Sequence, residues 1–408
     1  MMSKKFFYIL SLIGLIILPS GAIESGNPAL YYAYKGLEKF GVEDAWGMGY
    51  TGKGVNVAVI DSGIDFATPD LIGTQAHISN KSSLYYGWPI VIDLDSLIQY
   101  QQDSNHLFIR SRYANTSSTD VRGYQTTGTS KSDIYHIGDH PDMHLTQFHG
   151  QPVKVLLVDE KSPNIYDTVY VDLNNNHDFR DDKPCRKGDE ISYWDRDNDG
   201  YPDESGGMIY FIADGKTPLP LSRMLYGEDT KIPKNGELVA FHYDDGSHGT
   251  MCTGIIAAQG KNIKGIAPDA KIIPIQNSRE NDMLLYFLAS LGYDGFPNTG
   301  DEADIISKSG GFSYLFNKGA DEGSTFLEYL ITNISPFTTM IFANGNDGSG
   351  YGTSQSPSSE HVINVGAIYD LWWNNSSYSE DVVCFSSRGP NALGQVCLLY
   401  TSPSPRDS

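Results

Sequence analysis

Val55-Asn56-Val57-Ala58-Val59-Ile60-Asp61-Ser62-Gly63-Ile64-Asp65 decides how the rest of the 408-residue chain is read. Its short β-branched apolar run predicts a strand buried on both faces, and such strands belong to parallel sheets covered by helices. Asp61 then stands where α/β sheets place their chemistry, at the carboxyl end of a strand. A buried carboxylate there needs hydrogen-bond partners, and the Ser62-Gly63 turn offers backbone N–H groups. The rhythm resumes after His248. Thr253 to Ala258 reads as a closely packed helix, Lys271 to Gln276 as a strand, Asp282 to Leu291 as a helix and Ala303 to Ser307 as a strand. Phe326 to Asn333 (helix), Thr339 to Ala343 (strand) and Val362 to Ala367 (strand) complete it. Alternating strands and helices imply an α/β fold with a mostly parallel sheet flanked by helices. Residues 73–244, rich in Asp, Asn, Tyr, Ser and Gly, break the pattern and read as a β- or loop-rich insertion.

Two more polar residues share the position of Asp61 near an element's end. His248 lies in Gly246-Ser247-His248-Gly249-Thr250-Met251-Cys252, and Asn346 in Phe342-Ala343-Asn344-Gly345-Asn346-Asp347-Gly348. Singly they are ordinary, since an Asp after a strand is often a turn former and a lone His is often structural. In this order they resemble the subtilases, the subtilisin-like serine peptidases, over roughly residues 45–72 and 238–390. Thr51-Gly52-Lys53-Gly54-Val55 leading into Asp61 resembles the family's Asp box, and Gly265-Ile266-Ala267-Pro268 follows the His box as the family pattern has it. Ala303-Asp304-Ile305-Ile306-Ser307-Lys308-Ser309-Gly310-Gly311 is similar to the substrate-binding strand, and Phe385-Ser386-Ser387-Arg388-Gly389-Pro390 to a downstream signature. The long stretch between Asp61 and His248 resembles the pyrolysin-like branch.

The resemblance implies roles. Asp61 would hold one tautomer of His248 and stabilise its imidazolium. His248 would take a proton from an attacking serine and return it to the leaving amine. The Asn346 amide would donate to the tetrahedral oxyanion, a contribution of roughly 10²–10³ in rate. Ser309, Gly310 and Gly311 would pair with an extended substrate backbone, making proteins or peptides the partners. Cys252 matches a thiol present in some subtilases and reads as a packing residue.

The nucleophile is where the resemblance fails. The family's serine sits in a Gly-Thr-Ser-Met-Ala-type box after the Phe-Ser-Ser-Arg-Gly-Pro signature, and no such box follows Pro390. Gly352-Thr353-Ser354-Gln355-Ser356-Pro357 is a decoy that precedes a strand and reads as a surface turn. From about Val396 the chain abandons its strand–helix rhythm, and residues 391–408 read as a non-native or disordered tail. The expectation is therefore a family of active serine endopeptidases and a chain truncated before its nucleophile and inactive, losing roughly 10⁶ in turnover.

Composition narrows the setting. Fifty acidic against 29 basic side chains give a net charge of −21, which argues against nucleic-acid partners, because phosphate recognition needs clustered Lys and Arg. Lys4 and Lys5, the apolar run Phe6 to Leu18 and Pro19-Ser20-Gly21-Ala22 have the order of a secretory signal over residues 1–22, with an uncleaved anchor as the alternative. A secreted protein with no membrane contact after cleavage is expected. Sequons at Asn80, Asn115, Asn333, Asn374 and Asn375 are compatible with export, and four cysteines are too few for a disulfide scaffold. The catalytic part divides into residues 23–72 and 245–390 around the insertion. Oligomeric state is not legible.

Within the insertion, Asp195, Asp197, Asp199 and Asp203 stand at positions 1, 3, 5 and 9 of a loop with Gly200 at 6, a spacing that can converge oxygens on Ca²⁺. Gly206 occupies position 12, where an acidic ligand is usual. Asp172-Leu173-Asn174-Asn175-Asn176-His177-Asp178 is a weaker second loop. His136, His140, His144 and His149 recur near helical spacing, but Gly138 and Pro141 break the helix, so a surface loop is preferred to a zinc site. Two other functions stay open: a calcium-stabilised binding protein on a subtilase fold, and a metal-dependent hydrolase using those histidines.

Overall fold

The computed structural model describes residues 40–102, 111–260, 263–277, 282–310, 319–355, 357, 359–367, 382–391 and 393–394. The expected leader, the sequons at Asn374 and Asn375, Gly311 and nearly all of the expected tail lie outside these residues. Strand β1 (Asn56–Asp61) is followed by β2 (Tyr113–Asn115), β3 (His136–Asp139), β4 (Lys154–Val158) and β5 (Thr168–Val171). Next come β6 (Ile191–Trp194), β7 (Glu204–Ile212), β8 (Leu238–His242), β9 (Lys271–Gln276), β10 (Ile305–Lys308), β11 (Thr339–Ala343) and β12 (Val362–Val365). The helices are α1 (Val42–Gly47), α2 (Leu94–Gln102), α3 (Met143–His149), α4 (Ser222–Tyr226), α5 (His248–Ala257), α6 (Asp282–Leu291) and α7 (Glu322–Tyr329).

Five strands form a wholly parallel sheet in the order β12-β11-β10-β1-β9. From β1 the chain steps to β9 on one side, then crosses to β10 on the other and continues outward. The winding direction therefore reverses at β1, and a crevice opens between the carboxyl ends of β1 and β10. Asp61 ends β1, and Ser309 and Gly310 follow β10 on the other wall. The outer edge of β9 is covered by residues 74–92. Ile272 N–H donates to Thr74 O (2.8 Å), and Ile92 exchanges bonds with Pro274 O and Gln276 N–H (both 3.1 Å). That pairing closes an otherwise open sheet edge.

The expected β-rich stretch holds two antiparallel sheets, β2-β8-β7-β6 and β3-β4-β5. Their layering follows from period two. In β8, Leu238 and Ala240 join the core under the parallel sheet, while Val239 and Phe241 face the three-stranded sheet. In β4, Val155 and Leu157 meet the four-stranded sheet, and Leu156 and Val158 pack on Phe179 and Tyr170.

Two helix boundaries differ from expectation. Helix α5 begins at His248 rather than Thr253, since the Gly- and Ser-rich stretch is already helical from the imidazole onward. Helix α7 runs Glu322–Tyr329 and passes into a π turn at Leu330–Ile334, because Asp321 caps it by accepting the Ser324 N–H at 2.9 Å. Among the described residues, no helix is long and apolar enough to cross a membrane.

Phe342, fully buried in β11, meets Tyr286 of α6 edge to face at 5.3 Å between ring centroids. Phe342→Ala is expected to lower the unfolding free energy by about 3–5 kcal/mol, measured by urea denaturation, because the void at the sheet–helix contact cannot collapse.

Candidate functional site

At the crevice, His248 Nδ1 lies 2.7 Å from Asp61 Oδ1 across 187 positions of sequence. Asp61 is buried at the end of β1 and also accepts the Ser62 N–H at 2.8 Å. Because a carboxylate only accepts, the Nδ1 of His248 donates in this bond, and in the neutral ring the lone pair is then on Nε2. About a third of the imidazole is exposed, against 6% of the Asp61 side chain. The pair thus has an oriented base facing outward and a shielded anion behind it. Among the described residues, no serine hydroxyl hydrogen-bonds to His248.

Close backbone approach makes the pair possible. Gly63 has φ of 116°, and a Cβ there would collide with the Tyr243 carbonyl; a Cβ on Gly249 would collide with the Gly63 carbonyl and press on Asp61. Side chains then tie the segments. Asp244 Oδ1 accepts the Ser62 hydroxyl (2.7 Å), its Oδ2 accepts Thr250 N–H (2.9 Å), and Asp65 N–H donates to Thr250 Oγ1 (2.9 Å). His242, fully buried, accepts the Ile64 N–H at Nε2 (3.1 Å). Sequence reading missed Asp244 and His242; their only trace is nearness to the His box.

Cys252 Sγ lies 3.8 Å from His248 Nδ1 and donates to Ser309 Oγ at 3.5 Å. Burial pushes its thiol up to about 12, so it stays protonated and packs rather than attacks. Ser309 and Gly310 are half-buried beside the pair. Lys308 just before them is buried, its ammonium 2.7 Å from Asp282 Oδ2, and burial lowers its pKa.

Asn346 is exposed, and no described residue accepts its amide. Its loop is braced from the Phe385–Pro390 stretch. Asn344 Nδ2 donates to Ser387 O (2.7 Å), Ser387 N–H to Gly345 O (3.0 Å) and Asp347 N–H to Ser387 Oγ (2.9 Å). Ser354 is not on a surface turn as its sequence suggested. It is 1% exposed and its hydroxyl donates to Asn344 Oδ1 at 2.5 Å, so it is consumed in holding that loop.

In the acidic loop, carboxylate oxygens of Asp195, Asp197 and Asp203 lie within 4.8 Å of one another. Asp199 does not join them; its Oδ1 accepts the Tyr201 N–H at 2.8 Å. Three hard oxygens with a tight Gly200 turn (φ 89°) fit a calcium donor set, short of the six to eight ligands calcium takes. The second loop closes on itself, with Asp172 accepting Asn176 and His177 N–H groups at 3.0 Å.

The four histidines do not converge. His136 bonds Thr116 O from β3, His144 leans on Asp142, and His149 pairs with Glu204 at 2.9 Å. His140 is buried rather than on a surface loop, between Gly206 O and the Asp142 N–H.

A family model described as the subtilase family matches residues 52–400. Pyrolysin of Pyrococcus furiosus is 25% identical over 435 residues, covering 87% of this chain and 29% of that one. Serine protease AprX of Bacillus subtilis is 31% identical over 166 residues, 38% of this chain and 36% of that one. A crystal structure of tripeptidyl peptidase 2 covers 84% of this chain and 30% of its own at 11% identity, with a TM-score of 0.42. The chain thus spans under two fifths of the length of these relatives.

Burial pushes His140 from 6.5 down to about 4 against the opposing Gly206 hydrogen bond, and holds His242 well below the ordinary value. The unfolded chain therefore binds protons that the folded chain refuses. The contribution of these two histidines to stability is fully present above pH about 6.5 and is lost as pH drops toward about 4, His140 alone accounting for about 3 kcal/mol. Urea unfolding at pH 7 and at pH about 4 is expected to show that His140→Gln lacks this acid-dependent loss, its change in unfolding free energy between the two pH values differing from that of the unsubstituted chain by about 3 kcal/mol.

Proposed function

The chain belongs to the subtilase family, and we propose that it derives from a secreted serine endopeptidase that hydrolyses peptide bonds by Asp-His-Ser acyl transfer. The observation that carries this is the 2.7 Å bond between Asp61 and Nδ1 of an imidazole that stays about a third exposed. Asp61 orients the ring and stabilises the imidazolium, His248 shuttles the proton, and Asn346 donates to the oxyanion. Ser309, Gly310 and Gly311 take the substrate backbone as an added strand. Residues 23–72 and 245–390 form the catalytic part, and residues 73–244 are an insertion within it.

On the same reading, this 408-residue chain lacks the nucleophile and is inactive. Supporting this are the absence of a Gly-Thr-Ser-Met-Ala-type box after Pro390 and the engagement of the Ser354 hydroxyl by Asn344. A fluorophosphonate probe is expected to leave the 408-residue chain unlabelled; labelling that disappears in Ser354→Ala overturns that assignment. The reading frame extended past Pro390 to such a box is expected to give probe labelling and casein hydrolysis, both lost in His248→Ala. An extended frame without the box, or labelling indifferent to His248→Ala, favours the non-catalytic binding protein instead.

Calcium at Asp195, Asp197 and Asp203 is part of the same proposal, supported by their convergence. It would neutralise three crowded carboxylates and hold the loop that leads into β7. Free calcium at a hundredfold excess over its Kd is expected to stabilise chelator-treated protein by about 2.7 kcal/mol, seen as a higher melting temperature. Asp197→Asn should abolish the increment, and a melting temperature insensitive to calcium removes the site.

A further inference from the structure

The insertion reaches the segments that flank the Asp61–His248 pair through Arg112, the residue before β2, which is 4% exposed. Its Nη1 donates to the Tyr243 carbonyl, its Nη2 donates to Asp245 Oδ2 at 2.6 Å, and its guanidinium lies 4.2 Å from the centre of the Tyr243 ring. The Arg112 backbone is equally fixed. Its N–H donates to Ser96 Oγ (2.8 Å), Ser96 Oγ donates to buried Asp93 (2.6 Å), and Phe241 N–H donates to the Arg112 carbonyl (3.0 Å). A guanidinium this buried requires counter-charge, and Asp93 and Asp245 supply it.

Tyr243–Asp245 is the turn that delivers the chain into α5. Asp244 at its centre accepts Ser62 Oγ (2.7 Å), Gly246 N–H (2.9 Å), Thr250 N–H (2.9 Å) and Thr250 Oγ1 (2.5 Å). Asp245 N–H donates to Ser62 O at 3.1 Å. Ser62 adjoins Asp61, and Thr250 lies in the helical turn headed by His248. The turn is therefore the spacer between acid and base, gripped by one planar fork whose Nη2 also donates to the Ser62 carbonyl at 3.5 Å.

We propose that Arg112 is a positioning residue for the Asp61–His248 pair: by fixing Tyr243–Asp245 it sets the separation of Ser62 and Thr250, and through them the 2.7 Å bond. This rests on the catalytic reading of that pair. Planarity is the reason for arginine, because one rigid fork reaches a carbonyl and a carboxylate together while stacking on a ring. A lysine ammonium keeps the charge and loses that geometry.

The test follows the Nδ1 proton of His248 by NMR of histidine-labelled protein, assigned by its loss in His248→Gln. A proton held in a short charge-assisted bond resonates far downfield. In folded Arg112→Met that resonance is expected to disappear, with partial return in Arg112→Lys; its persistence unchanged in folded Arg112→Met overturns the proposal. If Arg112→Met does not fold, Asp245→Asn decides, since it removes only the exposed partner of the fork. Broadening of the resonance supports the proposal, and an unchanged resonance overturns it. Asp61→Asn separates this from the underlying reading. A resonance that survives Asp61→Asn defeats the pair itself, whereas one lost there but kept in Arg112→Met defeats only the role of Arg112.

Discussion

An imidazole must meet a carboxylate across 187 positions of chain, and most of the architecture answers to that requirement. A hydrogen bond of 2.7 Å tolerates little displacement of either partner. Asp61 is immobilised by being the last residue of a strand paired on both sides, with Gln276 of β9 beside it and Lys308 of β10 beside Ile60. His248 has no strand to fix it. It heads a helix whose buried residues include the small Gly249, Thr253, Gly254 and Ala257, and at Gly249 that helix comes close enough to meet the Gly63 backbone. Gly63 and Gly249 are there because any side chain would hold the two segments apart.

The β-rich stretch between Asp61 and His248 answers to the same requirement from the opposite side. A stretch of some 170 residues placed between acid and base has to leave and return without loosening either. Here it returns through β8, buried on both faces, which runs directly into His242, Tyr243 and Asp244. The four-stranded sheet is packed on one side by the core of the parallel sheet and on the other by the three-stranded sheet. The segment that meets the Asp box is therefore the end of a central strand rather than of a loose loop. Rigid layers convert a long detour into a fixed endpoint.

This explains what the amino-acid sequence disclosed and what it withheld. Strands Lys271–Gln276 and Thr339–Ala343 and helix Asp282–Leu291 match their readings residue for residue, because each is a buried apolar run bounded by turn residues. Asp61 and His248 were legible as ends of elements inside recognisable boxes. Arg112 and His242 were not, since their meaning lies in partners 131 and 178 positions away. Ser354 misled because a Gly-Thr-Ser tripeptide says nothing of burial, and His140 because spacing says nothing of which face is covered. The cap at Asp321 was local and readable, and a period-based reading of Phe326 to Asn333 passed over it.

The acidity of the chain also means something more specific than its net value. Residues 159–204 carry 14 acidic against 6 basic side chains, yet most of these carboxylates serve local backbone. Asp159 accepts Asn164 N–H, Asp167 accepts Glu160 N–H, Asp178 accepts Arg180 N–H and Asp199 accepts Tyr201 N–H. They do in irregular loops what carbonyls do in strands, satisfying donors that sheet pairing has left over. Crowding of anions is resolved in two ways. Near Asp172, Asp178 and Asp181, burial together with those neighbours pushes Asp182 up to about 8, so that carboxyl remains protonated at neutral pH. At Asp195, Asp197 and Asp203 the carboxylates converge on a loop where Asp195 is half-buried and the other two are exposed. The calcium proposed there would neutralise three carboxylates whose oxygens lie within 4.8 Å of one another. Convergence of particular carboxylates, and not the number of acidic residues, is what would favour calcium there.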